Sequence, residues 1–500
     1  MADKAGLRAF REGRFEDAAR SFAQAFEADP GNAALALNLG VALKACGRLR
    51  AAVEAFKGAI ELEPGYAEAH FNLGNAAREE GDLRGAERNY RAALQIKPGY
   101  SQALNNLGGV LADLKRPDRA ADVFSQAVAA RPDDAEALNN LGNALLKLNK
   151  RGEAEACFRR ALVLDPHDAR VRLNLGGALE AGNRLEEALA VYEGALEQAP
   201  GCSDLKLRRA MALLALGRDA EGWAAFEERW RLNAAAVPPG PRWDGTALDG
   251  ARLLLWAEQG FGDAIQFARY VPLAAARGGR VVLACPGKLV RLFATLDGVA
   301  EVVPLEHLPV YDLQAPLMSL PGLFPEPIAQ HAPYLRPDPA LSATWKSRIG
   351  GGERIKVGLA WRGSPTHEND AERSMAASFL GPLLEVPGID FFSLQVGASP
   401  PDGLADLAPE LNDFADTAAA MAGLDLVISV DTAQAHLAGA LGVPLWLALA
   451  FAPEWRWPRA GKTTPWYGSA RLFRQPAPGD WQGLLKDMVG ALYDSFTTGA

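Results

Sequence analysis

Residues 33–40 read Ala-Ala-Leu-Ala-Leu-Asn-Leu-Gly, and the closing triplet Asn38-Leu39-Gly40 returns as Asn72-Leu73-Gly74, Asn106-Leu107-Gly108, Asn140-Leu141-Gly142 and Asn174-Leu175-Gly176, 34 residues apart (72 − 38). A second series, Pro30, Pro64, Pro98, Pro132, Pro166 and Pro200, keeps that spacing without an insertion. A fixed period of this length marks an array of supersecondary units that stack to bury a common core. Small residues recur at Ala18, Ala52, Ala86, Ala120, Ala154 and Ala188. Four residues on come the aromatics Phe22, Phe56, Tyr90, Phe124, Phe158 and Tyr192, and three further Ala25, Ala59, Ala93, Ala127, Ala161 and Ala195. Spacings of three and four place these side chains on one helical stripe. Each proline lies just past that stripe, where its ring ends one helix and stiffens the corner into the next.

The period and these positions closely resemble the tetratricopeptide repeat, a pair of antiparallel helices, over roughly residues 3–235. Neither end fits the consensus, as expected of capping units. The first has Gly6 without its Asn-Leu partner. The last carries Arg208-Arg209-Ala210 in that place, then Gly222-Trp223, Phe226 and Trp230, aromatics expected to pack on the domain C-terminal to the repeats.

Five hundred residues with 49% hydrophobic content suffice for several domains. A net charge of −9, without a basic stripe, disfavours nucleic acid as a partner, since phosphate binding depends on clustered Lys and Arg. The start is a charged amphipathic helix rather than a signal peptide, and the longest apolar run, around Val443 to Pro453, is too short to span a bilayer. Cys46, Cys157, Cys202 and Cys285 are scattered without metal-type pairing. A cytoplasmic location is the expectation.

The repeats, assigned to residues 1–235, give way to a Pro- and Gly-rich stretch read as a linker over 236–250. Apolar runs of strand length then alternate with helical stretches: Leu253 to Ala257, Val281 to Ala284, Val302 to Pro304, Ile355 to Trp361, Phe391 to Leu394, Leu426 to Val430 and Leu445 to Leu449. Strands buried on both faces and separated by helices predict parallel sheets of βαβ units. A strand-free stretch from Arg336 to Gly352 divides them into halves, 251–340 and 341–500. The predicted fold class is thus an α-helical repeat superhelix followed by an α/β domain. Two Rossmann-like halves, with a last helix near Trp481 to Phe496 crossing back, resemble the layout of a GT-B glycosyltransferase.

The first strand ends in Glu258-Gln259-Gly260-Phe261-Gly262-Asp263, and a helix is expected from about Ala264 to Ala276. Gly260 and Gly262 let a ligand approach the backbone, and free amides at a helix start favour an anion. A dinucleotide fingerprint would want a third glycine where Ile265 stands, so that reading fails. Asp263 would lie at the carboxyl edge of a parallel sheet, where open α/β folds bind ligands, although an Asp in a first helical turn is also an ordinary cap. A later strand delivers Asp431-Thr432-Ala433-Gln434-Ala435-His436 and then Leu437 to Pro444. Asp431 and Thr432 are expected to cap the next helix with their side chains, its amides facing a phosphate.

This second segment resembles the Asp-Ser/Thr-Gly-x-x-His-x-Ala-x-x-Leu-Gly-x-Pro signature of the lipopolysaccharide heptosyltransferase family, which also shares the Gly-Asp of the first turn. The resemblance implies Asp263 as the base that activates the acceptor, Asp431 as a contact to donor sugar hydroxyls, Thr432 and Ala433 with their backbone as diphosphate contacts, and His436 as support for the donor. Ala433 departs from the family's glycine, and a buried histidine bonded within the core is the alternative for His436. The polar segment Trp361 to Ser374 offers Arg362 or Arg373 to neutralise a diphosphate; a solvated loop with incidental charges is the alternative. The block Trp455-Arg456-Trp457, Pro465-Trp466-Tyr467 and Arg474 suits either stacking on a base or sugar or burial against the sheet. The chain has no Asp-x-Asp pair, so no metal site and no cofactor are expected, the nucleotide sugar being a substrate.

Asn38, Asn72, Asn106, Asn140 and Asn174 form a ladder, one per repeat. Amides that donate and accept can hold an extended peptide or bond a neighbouring helix. The O-linked N-acetylglucosamine transferases have a similar ladder and a similar joining of repeats to a GT-B region, and flagellin-modifying transferases of bacteria resemble this arrangement too. That resemblance makes a protein acceptor, with flagellin as a candidate, the expected partner. The alternative from another class is a repeat scaffold whose last domain holds a nucleotide sugar without turning it over.

Overall fold

A computed structural model of the chain describes residues 2–232, 237–324, 333–365, 367 and 369–496. Each repeat is a helix pair, as in Ala33–Ala45 with Leu49–Leu62, Ala67–Glu79 with Leu83–Ile96, Ser101–Asp113 with Pro117–Ala130, and Ala135–Lys147 with Arg151–Leu164. The recurring glycine has a steric cause. A Cβ at Gly40, Gly74, Gly108 or Gly142 would sit 2.5, 2.7, 2.5 or 2.5 Å from the ring of Phe56, Tyr90, Phe124 or Phe158, so each of these four glycines seats the aromatic of its partner helix. Gly6 seats Phe22 in the same way, so the first unit keeps the packing without Asn-Leu. Several first helices are capped by Asn32, Asp134 and Asp168, whose side chains accept from backbone N–H groups of the first turn.

The chain divides into two compact units, Met1–Gly182 with Glu197–Ala199, and Asn183–Leu196 with Pro200–Ala500. The last repeat helices, Leu185–Leu196, Ser203–Ala215, Asp219–Phe226 and Arg229–Leu232, therefore fold with the α/β part, whereas the repeat periodicity puts the boundary near 235. The aromatics of that last repeat do pack on the α/β part. Trp223 meets Phe267 and Trp455 edge-on, with ring centroids 5.6 and 5.5 Å away, and Trp230 lies 5.2 Å from Trp256.

The second unit holds two sheets in which every pair is parallel. Strands β1 (Arg252–Trp256), β2 (Arg280–Cys285), β3 (Val299–Pro304) and β4 (Leu313–Pro316) form the first, in the order β3-β2-β1-β4. Strands β5 (Ile355–Ala360), β6 (Ile389–Ser393), β7 (Ala405–Asp406), β8 (Leu426–Val430), β9 (Leu445–Leu449) and β10 (Ala470–Arg474) form the second, in the order β10-β9-β8-β5-β6-β7. Strand-length apolar runs buried on both faces produce β1, β2, β8 and β9 as expected.

Three expectations need correction. Residues 233–235, at the end of the assigned repeats, and residue 236 of the linker lie outside the described residues. The rest is docked rather than free: Arg242 bridges Gln314 of β4, and Trp243 is buried beside Phe324. The helix expected at 264–276 begins earlier, at Phe261–Phe267, and continues as a 3-10 turn and the short helix Val271–Ala275, because Pro272 cannot donate into a continuous ladder. The stretch 336–352 is free of strands and separates the two sheets, as expected, and is mostly the helix Pro339–Ile349, started by Asp338 as cap. The last helix, Trp481–Phe496, buries Trp481, Leu484 and Met488 with Trp446 and Phe473 of its own half's sheet and does not cross back, since its apolar stripe is consumed there.

Candidate functional site

The turn after β1 and the turn after β8, far apart in sequence, face one another at the carboxyl ends of the two sheets. Gly262, in the helix Phe261–Phe267, abuts the helix Ala433–Leu441. A Cβ on Gly262 would stand 2.8 Å from His436 Cδ2 and 3.7 Å from the Cα of Ala433. Glycine is required at 262 by this approach rather than by an unusual backbone angle. The φ of +61° falls instead on Gln259, a rare conformation for a side-chain-bearing residue, immediately before the helix cap Gly260. The N–H of Gly260 donates to Asp263 Oδ2 at 3.2 Å.

The other oxygen of Asp263 accepts from Arg456 Nη2 at 2.5 Å, and Arg456 Nη1 donates to Glu454 Oε2 at 2.6 Å. Both Asp263 and Arg456 are largely covered, with side chains 14% and 8% exposed. Burial would lower the Arg456 pKa, but Asp263, Glu454 and Asp431 overcome it and hold the guanidinium charged. Asp431 is buried, and that burial, with the Glu454 carboxylate, pushes its carboxyl up to about 6 against the pull of Arg456 and Arg373. His436 is buried too, and desolvation with the charges of Arg456, Arg269 and Arg373 keeps it well below the usual histidine value, hence neutral. Its Nδ1 shares a 2.9 Å hydrogen bond with the Tyr467 hydroxyl, its ring stacks on Trp457, and its Nε2 lies 3.7 Å from Asp431 Oδ1.

Thr432 is the N-cap residue of Ala433–Leu441, but no side-chain capping bond forms there: its hydroxyl pairs with Ser429 Oγ at 2.8 Å. The expected capping by Asp431 and Thr432 is thus replaced by a link back to β8, because both side chains are drawn inward by burial. Arg362 and Arg373 are separated by their surroundings. The Arg362 side chain is 49% exposed, with Nε 4.0 Å from Asp370. Arg373 is 15% exposed and acts on both Asp431 and His436, so the structure brings Arg373 to the site. Of the polar loop, Thr366 and Glu368 lie outside the described residues. Trp457, Trp466 and Tyr467 are buried, which accounts for that block as packing; Arg456 within it carries no periodic or motif signal. Asp263 is legible from the sequence, its partner is not.

Behind the first turn, Arg229 from the last repeat helix grips Glu258 with two parallel bonds of 2.9 Å and also donates to Ser319 Oγ and to the carbonyl of Phe226. Glu258 stands between the end of β1 and Gly260, so a repeat side chain fixes where this turn begins.

The asparagine ladder, in the repeats, is half-buried throughout. Asn106 Nδ2 donates to Asn75 Oδ1 and Asn174 Nδ2 to Asn139 Oδ1, both at 2.8 Å, while Asn72 Nδ2 donates to the Glu68 carbonyl of its own helix. In these three the amide N–H is engaged between or within helices, the packing alternative.

Comparison with known proteins fits the helical part. Sequence models of the tetratricopeptide repeat match residues 9–70, 45–101, 71–135 and 139–202. The chain carries tetratricopeptide repeats. Protein FlbA of Caulobacter vibrioides is 32% identical over 314 residues, covering 55% of this chain and 52% of that protein, so the chain spans about half the length of this relative. Solved tetratricopeptide structures similar to the chain include TTC0263 of Thermus thermophilus, 30% identical with a TM-score of 0.30, covering 37% of this chain and 100% of that one. YrrB, described as having an unusual peptide-binding site, is 24% identical with a TM-score of 0.35, covering 37% of this chain and 96% of its own. Among the described residues no helix is long and apolar enough to cross a membrane.

Proposed function

We propose that the chain is a metal-independent glycosyltransferase of GT-B type, similar to the lipopolysaccharide heptosyltransferases, that moves a sugar from a nucleotide-sugar donor to a protein acceptor recruited by the tetratricopeptide repeats, flagellin being a candidate. The observation that carries this reading is the meeting of the two turns. Gly262 lies against His436 and Ala433, so the acid of one half and the helix start of the other border one region. Open parallel sheets bind ligands at that edge. The amides opening Ala433–Leu441 would receive the donor diphosphate, Asp431 the sugar hydroxyls, and Arg373 charge on the leaving group. Asp263 takes the proton as the acceptor's nucleophile bonds to the anomeric carbon and the carbon–oxygen bond to the diphosphate breaks. Neutral His436, fixed by Tyr467 and Trp457, holds the donor wall in place.

The test is a calorimetric screen of the full chain against UDP, GDP, ADP and CMP sugars, followed by transfer assays of Asp263→Asn. One donor should bind saturably, and the variant should keep binding while losing transfer. Binding by none of them overturns the reading. A second reading, a repeat scaffold with a non-catalytic nucleotide-sugar domain, draws on the engagement of both Asp263 oxygens by Gly260 and Arg456. It predicts donor binding with no turnover in the unaltered protein.

A further inference from the structure

Arg456 is the residue whose placement the proposed chemistry leaves unexplained. It sits between β9 and β10, in the second half, yet its strongest partner, Asp263, belongs to the first. The side chain is clamped: its guanidinium lies 4.9 Å above the Trp455 ring, its carbonyl accepts from Trp466 Nε1 at 2.7 Å, and Trp455 is itself wedged against Trp223 and Phe226. Three carboxylates, Asp263, Glu454 and Asp431, act on this one cation. Even so, its buried Nε–H has no partner among the described residues. A buried donor left unmatched, on a cation whose charge acts on Asp431 just ahead of the helix Ala433–Leu441, is where an anionic oxygen would be received.

Resting on the donor-site reading above, we propose that Arg456 is a donor-phosphate residue for which Asp263 and the donor diphosphate are rival partners. In the ion pair of this structure, the guanidinium occupies Asp263 Oδ1. A diphosphate at the start of Ala433–Leu441 offers the same guanidinium more charge and a bidentate geometry. As Nη2 turns to the phosphate, Oδ1 of Asp263 is released to face the acceptor. The acid is thus withheld from the acceptor until donor is bound, which orders the two substrates, donor first. No covalent bond changes in this step; one anion replaces another.

The experiment uses the full chain and calorimetric titration with UDP, GDP, ADP, CMP and inorganic pyrophosphate, in the unaltered protein, Asp263→Asn, Arg456→Gln, Arg456→Lys and the double variant Asp263→Asn with Arg456→Gln. Asp263→Asn, which keeps the side chain's volume, should bind the best diphosphate about tenfold more tightly, because the rival is gone. Arg456→Gln should bind at least tenfold more weakly, with Arg456→Lys between. The decisive comparison is the double variant. If the gain passes through Arg456, Asp263→Asn adds nothing in the Arg456→Gln background; a gain that persists there is plain charge removal and overturns the proposal. Binding that is indifferent to both substitutions also overturns it and leaves the donor site standing. Binding of no probe by any variant overturns both. Should Arg456→Gln fail to fold, Arg456→Met, alone and with Asp263→Asn, takes its place in the same comparison.

Discussion

Replacing Gly262 with alanine tests whether the two turns truly abut. The added methyl would stand 2.8 Å from His436 Cδ2, about 0.9 Å inside ordinary carbon–carbon contact of about 3.7 Å. The imidazole cannot retreat, being 2% exposed, stacked on Trp457 and bonded to Tyr467. Overpacking of this kind costs about 1–3 kcal/mol, offset by at most about 1 kcal/mol from alanine's better helix propensity, and by less than that at a first turn. The expected net loss is about 1–2 kcal/mol. All of the chain's 11 tryptophans lie at position 223 or beyond, so tryptophan fluorescence during urea unfolding reports the second unit without interference from the first. In a His436→Ala background the methyl has space, and the same substitution should become neutral or favourable. Equal losses in both backgrounds, or no loss in the unaltered protein, would refute the juxtaposition on which the site rests.

In the repeats, Gly108→Ala should destabilise the first unit by about 1–3 kcal/mol through Phe124. Gly177→Ala, in the helix Ala169–Ala181 with open space around it, should stabilise by about 0.5–1 kcal/mol; far-UV circular dichroism melts compare the two. Asp431 has its folded pKa raised from 3.8 to about 6. The stability this gives is complete below about pH 3.8 and lost as pH rises through about 6. Asp431→Asn should therefore gain about 3 kcal/mol over the unaltered protein between pH 4 and pH 7, read in urea by fluorescence; a constant difference across that window refutes the burial argument. Arg229→Met leaves Glu258 buried and unpaired and should cost about 3–5 kcal/mol, most of it recovered when Glu258→Leu is added. Simple additivity of the two would show that the pair is not desolvated.

The repeats are legible because their signal is steric and periodic: Gly40 must be glycine where Phe56 presses on it, and that necessity recurs in unit after unit. The strands β1, β2, β8 and β9 are legible because burial on both faces demands uninterrupted apolar runs. Strand β4, Leu-Gln-Ala-Pro, is four residues long and ends in a proline, and β7 has two residues; neither is long enough to show a pattern. At the site, Gly262, Asp263, Asp431 and His436 are readable because turns after strands have a characteristic grammar. Arg456 is not, since its partner lies 193 residues away and only the folded chain brings them together. The capping expected of Thr432 fails for a related reason: local preference favours a cap, while Ser429, within the preceding strand, offers a buried hydroxyl instead.

The wedge of Trp223 and Phe226 against Trp455 and Phe267 bears on how the protein can be dissected. A fragment starting after residue 235 would strip one wall from both the Asp263 turn and the Arg456 loop, leaving indole surface bare and prone to clump. A fragment starting near residue 183 would retain it, so the useful place to cut lies inside the repeats, not at their end.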